Sequence, residues 1–239
     1  MTRERAGKLG QTALAYARFG WAVLPLHSVN TSRRCTCGRP DCPSPGKHPL
    51  TAHSVADASK DPKVIAAWWR KWPWANIGVA TGAASGFFVL DVDGEEGQES
   101  LRDLEASHGG LPDTVEALTG GGGRHIFFRY PGPELGNKVG LAPGLDVRGD
   151  GGYIVAPPSL HASGRCYEWE ASSRPDEVPI AEAPEWLLSL IKGNGGGRLT
   201  PEDWETDIPE GQRNNELTRR AGSLLRGIPP GEALTMLLA

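Results

Sequence analysis

A continuous apolar run that ends in two carboxylates is the clearest pattern in the chain. It spans 86–93 and reads Gly-Phe-Phe-Val-Leu-Asp-Val-Asp. Its β-branched and aromatic residues predict a strand buried on both faces. Because side chains alternate along a strand, we expect Asp91 and Asp93 on one side, where they repel each other unless a cation such as Mg²⁺ or Mn²⁺ binds them. The alternative is that the acids merely end the strand, with Asp93-Gly94 as a turn.

Hydrophobic periodicity elsewhere predicts a mixture of helices and strands. Helices are predicted at 9–19, 62–72, 94–108 and 184–192, and strands at 21–26, 76–81, 87–92, 114–118, 124–130, 153–156 and 165–170. Phe19 belongs to the apolar positions of the first helix. Pro25 indicates that the first strand lies at a sheet edge or that the proline lies near the end of the strand, and Asp150-Gly151 is typical of a hairpin turn. The tryptophans of the second helix are expected in the core rather than as a platform for stacking bases.

Three cysteines and a histidine lie close together in a loop too rich in proline and glycine for regular structure. They are Cys35, Cys37, Cys42 and His48, within the loop 35–49. A Cys₃His set is usual for a structural zinc ion, and a metal would hold such a loop together. All four tetrahedral positions would be filled, which leaves none for water. The alternatives are free thiols beside an isolated histidine, or a site in which His27 or His53 replaces His48.

A run of four glycines, Gly120 to Gly123, precedes the strand that contains His125. Glycines let backbone amides approach a ligand closely, but no Gly-Lys-Ser/Thr follows, so the run is not a P-loop. His125 could hold a phosphate or be a structural histidine. Further along, Asp146 lies between apolar neighbours, which disfavours simple burial of its carboxylate. Arg148 shares its face if the chain is extended there.

The net charge of −4 on 239 residues does not indicate nucleic-acid binding, but the charge is unevenly distributed. Residues 1–74 carry a net charge of +8 and the rest of the chain −12. The basic third could follow a phosphate backbone, or it could be an ordinary solvated surface. No apolar stretch is long enough to span a membrane and no secretory signal is recognised, so we expect a cytoplasmic protein.

Three acids, Asp91, Asp93 and Asp146, can hold two cations. Two cations about 3.5–4 Å apart stabilise both the attacking and the leaving oxygen of phosphoryl transfer. A histidine and an arginine beside them could hold a triphosphate. On physical grounds this set indicates nucleotidyl transfer, with metal-dependent phosphodiester hydrolysis as a close relative.

Seven short motifs in one order give the chain a resemblance to a known family. They are Gly-Trp-Ala-Val-Leu-Pro-Leu at 20–26, Gly-Lys-His-Pro at 46–49, Asn-Ile-Gly-Val-Ala-Thr-Gly at 76–82, Leu-Asp-Val-Asp at 90–93, Gly-Gly-Arg-His at 122–125, Leu-Asp-Val-Arg at 145–148 and Pro-Pro-Ser at 157–159. Over about residues 9–190 the sequence resembles the bifunctional primase–polymerase (Prim-Pol) domain of the archaeo-eukaryotic primase superfamily. The resemblance implies an α+β fold, an α/β sandwich with an RRM-like catalytic sheet.

The resemblance also implies roles for particular residues. Asp91, Asp93 and Asp146 match the acids that bind the catalytic Mg²⁺ or Mn²⁺ ions, and His125 matches the histidine that contacts nucleotide phosphates. The loop 35–49 resembles the zinc insertion of some members. By extension, contacts to nucleotide or template are expected from Arg124, Arg148, Lys47 and Ser159.

We therefore expect a catalytic domain at 9–192, a linker at 193–207 and a small helical appendage at 208–239. The expected function is that of a template-dependent DNA primase/polymerase, which transfers nucleotides from NTPs or dNTPs to a 3′-OH during replication of a plasmid, phage or mobile element. Its partners would be a single-stranded DNA template, a primer, nucleoside triphosphates and a helicase in the same longer chain or operon. The alternatives are a non-catalytic module that binds a replication origin or template, and a metal-dependent nuclease.

Overall fold

The computed structural model describes residues 3–133 and 135–193. Within them the chain is α+β. The helices are α1 (Arg3–Arg18), α2 (Pro62–Lys71), α3 (Gly94–His108) and α4 (Glu185–Ile191), with a 3₁₀ helix at Ser54–Asp57. The strands are β1 (Val23–Leu26), β2 (Asn76–Ala80), β3 (Phe87–Val92), β4 (Glu116–Leu118), β5 (Arg124–Arg129), β6 (Lys138–Ala142), β7 (Leu145–Arg148), β8 (Tyr153–Ala156) and β9 (Glu168–Trp169). Nearly all of the predicted linker, and the whole predicted appendage, lie outside the described residues.

The strands form two antiparallel sheets. The smaller sheet has the order β1-β2-β8 and the larger one β6-β7-β3-β5-β4-β9. β1 is an edge strand, as Pro25 predicted, since a proline has no N–H to offer a second neighbour. β3 lies inside the larger sheet between β5 and β7, and all six of its residues are buried, which confirms the prediction for this strand.

One hydrophobic core joins both sheets to α1 and α2. Aromatic rings occupy its middle, where the ring of Trp21 lies 5.1 Å from that of Phe87 and 5.9 Å from that of Phe127, between centroids. Trp69 of α2 is buried in this core, and Trp68 packs against it. The tryptophans of α2 are therefore core residues, as predicted.

Asp91 lies on the side of β3 that faces the core, and Asp93 follows just beyond the end of the strand. Phe87 and Val89 are fully buried on this side, and Asp91 follows them on the same side with 8% of its surface exposed. Asp93 comes next at the N-cap position of α3, which begins at Gly94 as predicted. The apolar start of the strand fixes its position, and its acidic end is thereby held at the edge of the core.

Two helix and turn predictions are wrong in detail. α1 begins at Arg3 and ends at Arg18, so Phe19 follows the helix and is 47% exposed. The turn at Asp150-Gly151 connects β7 to β8, which lie in different sheets, and it is therefore no hairpin. Asp150 instead forms a bridge with Gly136, and its carboxylate accepts a hydrogen bond from the Ala83 N–H at 3.1 Å.

The strand predictions fail where pairing is irregular. The strand predicted at 165–170 is reduced to β9, because the backbone of Arg165 and Tyr167 bonds to His161 and Ser159 instead of to β4. β6 was not predicted, since none of its residues is buried and it carries no alternating pattern. None of the helices in the described part of the chain combines the length and apolarity that a membrane span requires.

Candidate active site

Three adjacent strands bring the predicted acids and histidine together. Antiparallel pairing sets Asp91 of β3 opposite His125 of β5 on one side and opposite Asp146 of β7 on the other. Residues opposite each other on one face of such a sheet have Cβ atoms about 4.5–5.5 Å apart. With Asp93 just beyond the strand, carboxylate oxygens of the three aspartates lie within 4.8 Å of one another.

Hydrogen-bond donors surround these carboxylates. Arg148 Nη2 donates to Oδ2 of Asp91 and to Oδ2 of Asp146, both at 2.9 Å. His125 Nε2 lies 3.4 Å from Oδ1 of Asp91. The other ring nitrogen, Nδ1, is buried and has no hydrogen-bond partner among the described residues. A buried polar atom of this kind normally has a partner, so Nδ1 is exceptional, and it is Nε2 that lies beside the carboxylate of Asp91.

The electrostatic environments of Asp91 and Asp93 differ. Burial alone would raise the pKa of Asp91, but the hydrogen bond from His125 and the charges of His125 and Arg148 lower it to about 2. Burial, together with the negative charges of Asp91 and Asp146, raises the pKa of Asp93, and Lys47 only partly opposes this. Of Asp91 and Asp93, Asp93 is therefore the acid whose ionised form would gain more from a nearby cation.

The three carboxylates fit a hard divalent cation. All three offer oxygen donors, which Mg²⁺ and Mn²⁺ prefer, and their oxygens are close enough to bind a common ion or a pair of ions. Asp93 is exposed, so a cation could reach the cluster from solvent. The metal prediction is supported at this level, and the donor set does not distinguish Mg²⁺ from Mn²⁺.

The acids open into a cavity of about 320 Å³. A volume of a few hundred Å³ is typical of sites for small ligands. Several segments contribute to its walls: Ser44, Lys47 and His48 from the cysteine-bearing loop, Thr119 and Gly121 from the glycine-rich turn, Asp91, Asp93, His125 and Arg148 from the acidic site, Tyr153, Ile154 and Val155 from β8, and His161 and Tyr167 beyond it. Lys47 is thus the one cation that the cysteine-bearing loop adds to this wall.

The cysteine-bearing loop has its own cluster of metal-binding atoms. Donor atoms of Cys35, Cys37, Cys42 and His48 all lie within 4.8 Å of one another. His48 Nε2 is 3.3 Å from the sulfur of Cys35 and 3.5 Å from that of Cys42. Tetrahedral zinc with bonds of about 2.0–2.3 Å brings its ligands to such separations. The donor set therefore fits zinc.

Neither His53 nor His27 takes the place of His48 in the cysteine cluster. His53 bonds to Asp57 at 3.0 Å and lies outside the cluster. The ring of His27 lies against that of His48, with centroids 4.2 Å apart and planes tilted by 32°, but His27 Nδ1 lies 3.0 Å from the hydroxyl of Thr36. His48 is consequently the histidine of the cluster.

Backbone hydrogen bonds fasten this loop beside the acids. The Lys47 carbonyl accepts from the hydroxyl of Tyr153 at 3.1 Å, and the Gly46 carbonyl accepts from Asn76 Nδ2 at 2.9 Å. The His27 N–H donates to the His48 carbonyl at 2.8 Å. The loop is therefore held against the smaller sheet, with Lys47 at the mouth of the acidic site.

Two of the predicted nucleotide or template contacts do not line the cavity. Arg124 donates to Oε2 of Glu116 at 2.7 Å, on the opposite side of β5 from His125. Ser159 is fully buried, and its hydroxyl accepts from the Ile77 N–H at 2.8 Å. Ser159 thus joins the segment that follows β8 to β2, and its hydroxyl is buried away from the cavity.

Three cavity residues with polar aromatic rings were among those not singled out in the sequence. Tyr153, His161 and Tyr167 all lie on segments that follow the β7–β8 turn. Only His161 carried a usable signal, as a histidine in a Ser-Gly turn shortly after the Pro-Pro-Ser motif. The contribution of the two tyrosines depends on how the two sheets meet, which no local pattern indicates.

Comparison with known proteins agrees with the geometry. A family model described as "Bifunctional DNA primase/polymerase, N-terminal" (Prim-Pol) matches residues 13–186. No curated protein gives a significant match. The matched range contains the acidic site, the cysteine-bearing loop and both sheets, and at the family level it implies primase/polymerase activity. The chain belongs to the Prim-Pol family.

Proposed function

We propose that this chain is a template-dependent DNA primase/polymerase that transfers nucleotides from NTPs or dNTPs to a strand 3′-OH by a two-metal mechanism. The observation that carries the proposal is the cluster of Asp91, Asp93 and Asp146, whose oxygens lie within 4.8 Å of one another at a cavity that also holds Lys47 and His125. A module that only binds DNA does not require clustered carboxylates, since they repel its phosphates.

The acids, the histidine and the basic residues have complementary tasks in this proposal. Asp91, Asp93 and Asp146 hold the divalent cations, which when bound stabilise the attacking and leaving oxygens. His125 and Lys47 bind the triphosphate and orient its α-phosphorus toward the 3′-OH. Arg148 holds Asp91 and Asp146 toward each other through its two 2.9 Å hydrogen bonds, and its charge helps to lower the pKa of Asp91. The zinc site holds the loop that carries Lys47.

The wider context is part of the same proposal. We infer a catalytic domain at 9–192 followed by a linker and a helical appendage, and a cytoplasmic role in replicating a plasmid, phage or mobile element beside a helicase. Arg124 and Ser159 are left out of the nucleotide site, because their side chains are bound to Glu116 and Ile77.

A primer-extension assay tests the proposal. The protein is incubated with a primed single-stranded template and NTPs or dNTPs, with Mg²⁺ or Mn²⁺, beside an unprimed reaction. Extension by the parent and its loss in Asp91→Asn are expected, since Asn keeps the size of the side chain and removes its charge. The unprimed reaction separates primase from polymerase activity.

The same assay distinguishes the alternatives. Shortening of the strand without nucleoside triphosphates would indicate a nuclease. A gel shift that persists in EDTA, with no synthesis under any condition, would indicate a non-catalytic binding module. Parent-like extension by Asp91→Asn would show that the acids are not the catalytic metal site.

A further inference from the structure

We propose that His161 is a further nucleotide-binding residue, which donates a hydrogen bond from Nε2 to the phosphates of the incoming nucleoside triphosphate. The inference rests on the proposed function and deepens it, because it adds a residue on another part of the cavity wall that binds the triphosphate of the substrate. It is carried by the position of the ring, the direction of its free N–H and the charge beside it.

The ring of His161 is fixed in the wall of the acidic cavity. It is half-buried and lies edge-on to Tyr167, with centroids 5.9 Å apart and planes at 76°. Tyr167 in turn lies 6.0 Å from His125, so the two histidines flank one buried tyrosine. On its other side His161 packs so closely on Gly120 that a Cβ there would overlap its own Cβ. The imidazole therefore has little freedom to turn away.

Hydrogen bonding determines which nitrogen of His161 carries the proton. The Ser163 N–H donates to Nδ1 at 3.1 Å, so Nδ1 must present its lone pair. The neutral ring then carries its proton on Nε2. In the part of the chain that the structure describes, no group accepts a hydrogen bond from Nε2. This nitrogen lies beside Gly121, which also lines the cavity. The free donor is consequently available to a ligand that offers an oxygen acceptor.

The surroundings select an anionic ligand. Lys47 lines the same cavity and is close enough that, after burial, its charge is the next largest cause that lowers the pKa of His161, ahead of Arg165. The ring is therefore a neutral donor beside a cation at neutral pH. One N–H donor and one ammonium group next to a carboxylate cluster that suits divalent cations match a metal-bound triphosphate, whose oxygens can meet all three.

Three substitutions separate a phosphate contact from a structural role. His161→Phe keeps the aromatic packing on Tyr167 and Gly120 but removes the donor. His161→Gln places an amide N–H near the position of Nε2, whereas His161→Asn can satisfy Ser163 but reaches less far into the cavity. His53→Ala is the matched control, because the side chain of His53 is 78% exposed and lies outside the cavity.

The decisive measurement is the dissociation constant of α,β-imido-dATP in the presence of Mn²⁺ and a primed template, by isothermal titration calorimetry. We expect His161→Phe and His161→Asn to weaken binding about 10- to 100-fold, as for loss of one hydrogen bond to a charged group. His161→Gln should recover most of the affinity, and His53→Ala should match the parent. Zinc content, thermal midpoint and the gel shift with DNA should not change.

Each outcome decides a different point. Parent-like affinity in His161→Phe and His161→Asn, with the fold intact, overturns the inference alone if the parent extends a primer. If His161→Phe does not fold, equal affinity of the Gln and Asn variants overturns it, and a difference between them supports it. A parent that binds no nucleotide overturns both this inference and the proposed function. Loss of DNA binding in step with nucleotide binding would assign His161 to the structure of the domain.

Discussion

The guanidinium of Arg148 on β7 lies 2.9 Å from the carboxylate of Asp91 on the neighbouring strand β3. The same nitrogen lies 2.9 Å from Asp146, so one arginine compensates two of the three acids. Asp91 is buried, and a buried carboxylate requires an opposite charge or hydrogen bonds. A divalent cation bound by Asp91 and Asp146 must therefore share them with Arg148. Metal affinity and the stability of the metal-free protein are linked through this residue.

Replacing Arg148 should change both the stability of the metal-free protein and its response to metal. In Arg148→Gln, Asp91 and Asp146 lose their counter-charge, so the free energy of unfolding in EDTA should fall by about 1–3 kcal/mol. Mn²⁺ should then raise the thermal midpoint more than in the parent, because the cation supplies the missing charge. Urea denaturation in EDTA and thermal melts with increasing Mn²⁺ measure both effects.

Arg129→Gln is the control for this experiment, since Arg129 pairs with Glu182 at 3.7 Å and both side chains are largely exposed. Exposed pairs contribute little to stability, so this variant should behave like the parent. An Arg148→Gln protein with parental stability and a parental Mn²⁺ response would show that the ion pair does not hold the acids.

Replacing Asp93 should raise the stability of the metal-free protein, whereas replacing Arg148 should lower it. Burial and the charges of Asp91 and Asp146 raise the pKa of Asp93, so its ionised form destabilises the metal-free protein at neutral pH, and that penalty disappears as the pH falls through its pKa. Asp93→Asn should therefore raise the thermal midpoint in EDTA at pH 7.5 and abolish stabilisation by Mn²⁺. The gain over the parent should shrink as the pH is lowered and Asp93 becomes protonated. A lower midpoint in EDTA would mean that Asp93 stabilises the fold.

Local sequence pattern predicts the elements that carry the acids but not how those elements meet. The buried run at Phe87–Val92 and the helix at Gly94–His108 have the predicted limits, because each is specified by its own burial pattern. The pairing of β3 with β5 and β7 places His125 and Asp146 beside Asp91, and these strands are not consecutive in the sequence. The sequence grouped Asp146 with Asp91 and Asp93 through its apolar neighbours and through the family resemblance, but no local pattern showed that β7 pairs with β3.

Two predicted site residues, Arg124 and Ser159, do not line the cavity, and the direction of their side chains explains why. Arg124 precedes His125 in a motif, yet neighbours in a strand point to opposite faces, and Arg124 binds Glu116 instead of facing the cavity. Ser159 also stands in a motif, and its hydroxyl accepts a hydrogen bond from β2 instead of facing the cavity. His161 lies outside the motifs, but its turn brings it into the cavity. Strand alternation accounts for Arg124, whereas the positions of Ser159 and His161 depend on tertiary packing.

The cysteine-bearing loop should lose both zinc and its hold on Lys47 when one ligand is removed. Cys42→Ser is expected to reduce bound zinc from about one ion per chain to nearly none and to lower the thermal midpoint, because metal binding to such a loop contributes folding free energy. Nucleotide affinity should fall as well, since Lys47 and His48 line the acidic cavity. Elemental analysis and calorimetry measure these changes.

Cys166→Ser serves as the comparison, since Cys166 lies outside the metal-binding cluster. This variant should retain the zinc content of the parent. Unchanged zinc content in Cys42→Ser would remove Cys42 from the site and leave the other three candidate ligands to be tested individually.

The glycine-rich turn should tolerate no side chain at Gly123. A Cβ at this position would overlap the carbonyl oxygen of Val92, which lies between Asp91 and Asp93. A hydrogen bond also joins the two ends of the turn, because the Gly123 N–H donates to the Thr119 hydroxyl at 2.9 Å. Gly123→Ala must therefore push the start of β5 away from the end of β3, and His125 away from Asp91. We expect a loss of about 1–3 kcal/mol of stability, as for other overpacked sites, and at least a tenfold lower rate of primer extension.

Gly110→Ala makes the matched comparison, because a methyl group there would meet no atom within 4 Å. It should leave both stability and rate within error of the parent. Urea denaturation and primer extension on the two variants measure the two effects side by side. If Gly123→Ala retained parental stability but lost activity, the close approach would serve the alignment of His125 with the acids rather than the fold. If it retained both, the contact between the turn and β3 would be loose enough to absorb a methyl group, and the alignment of the site would have to depend on Arg148 instead.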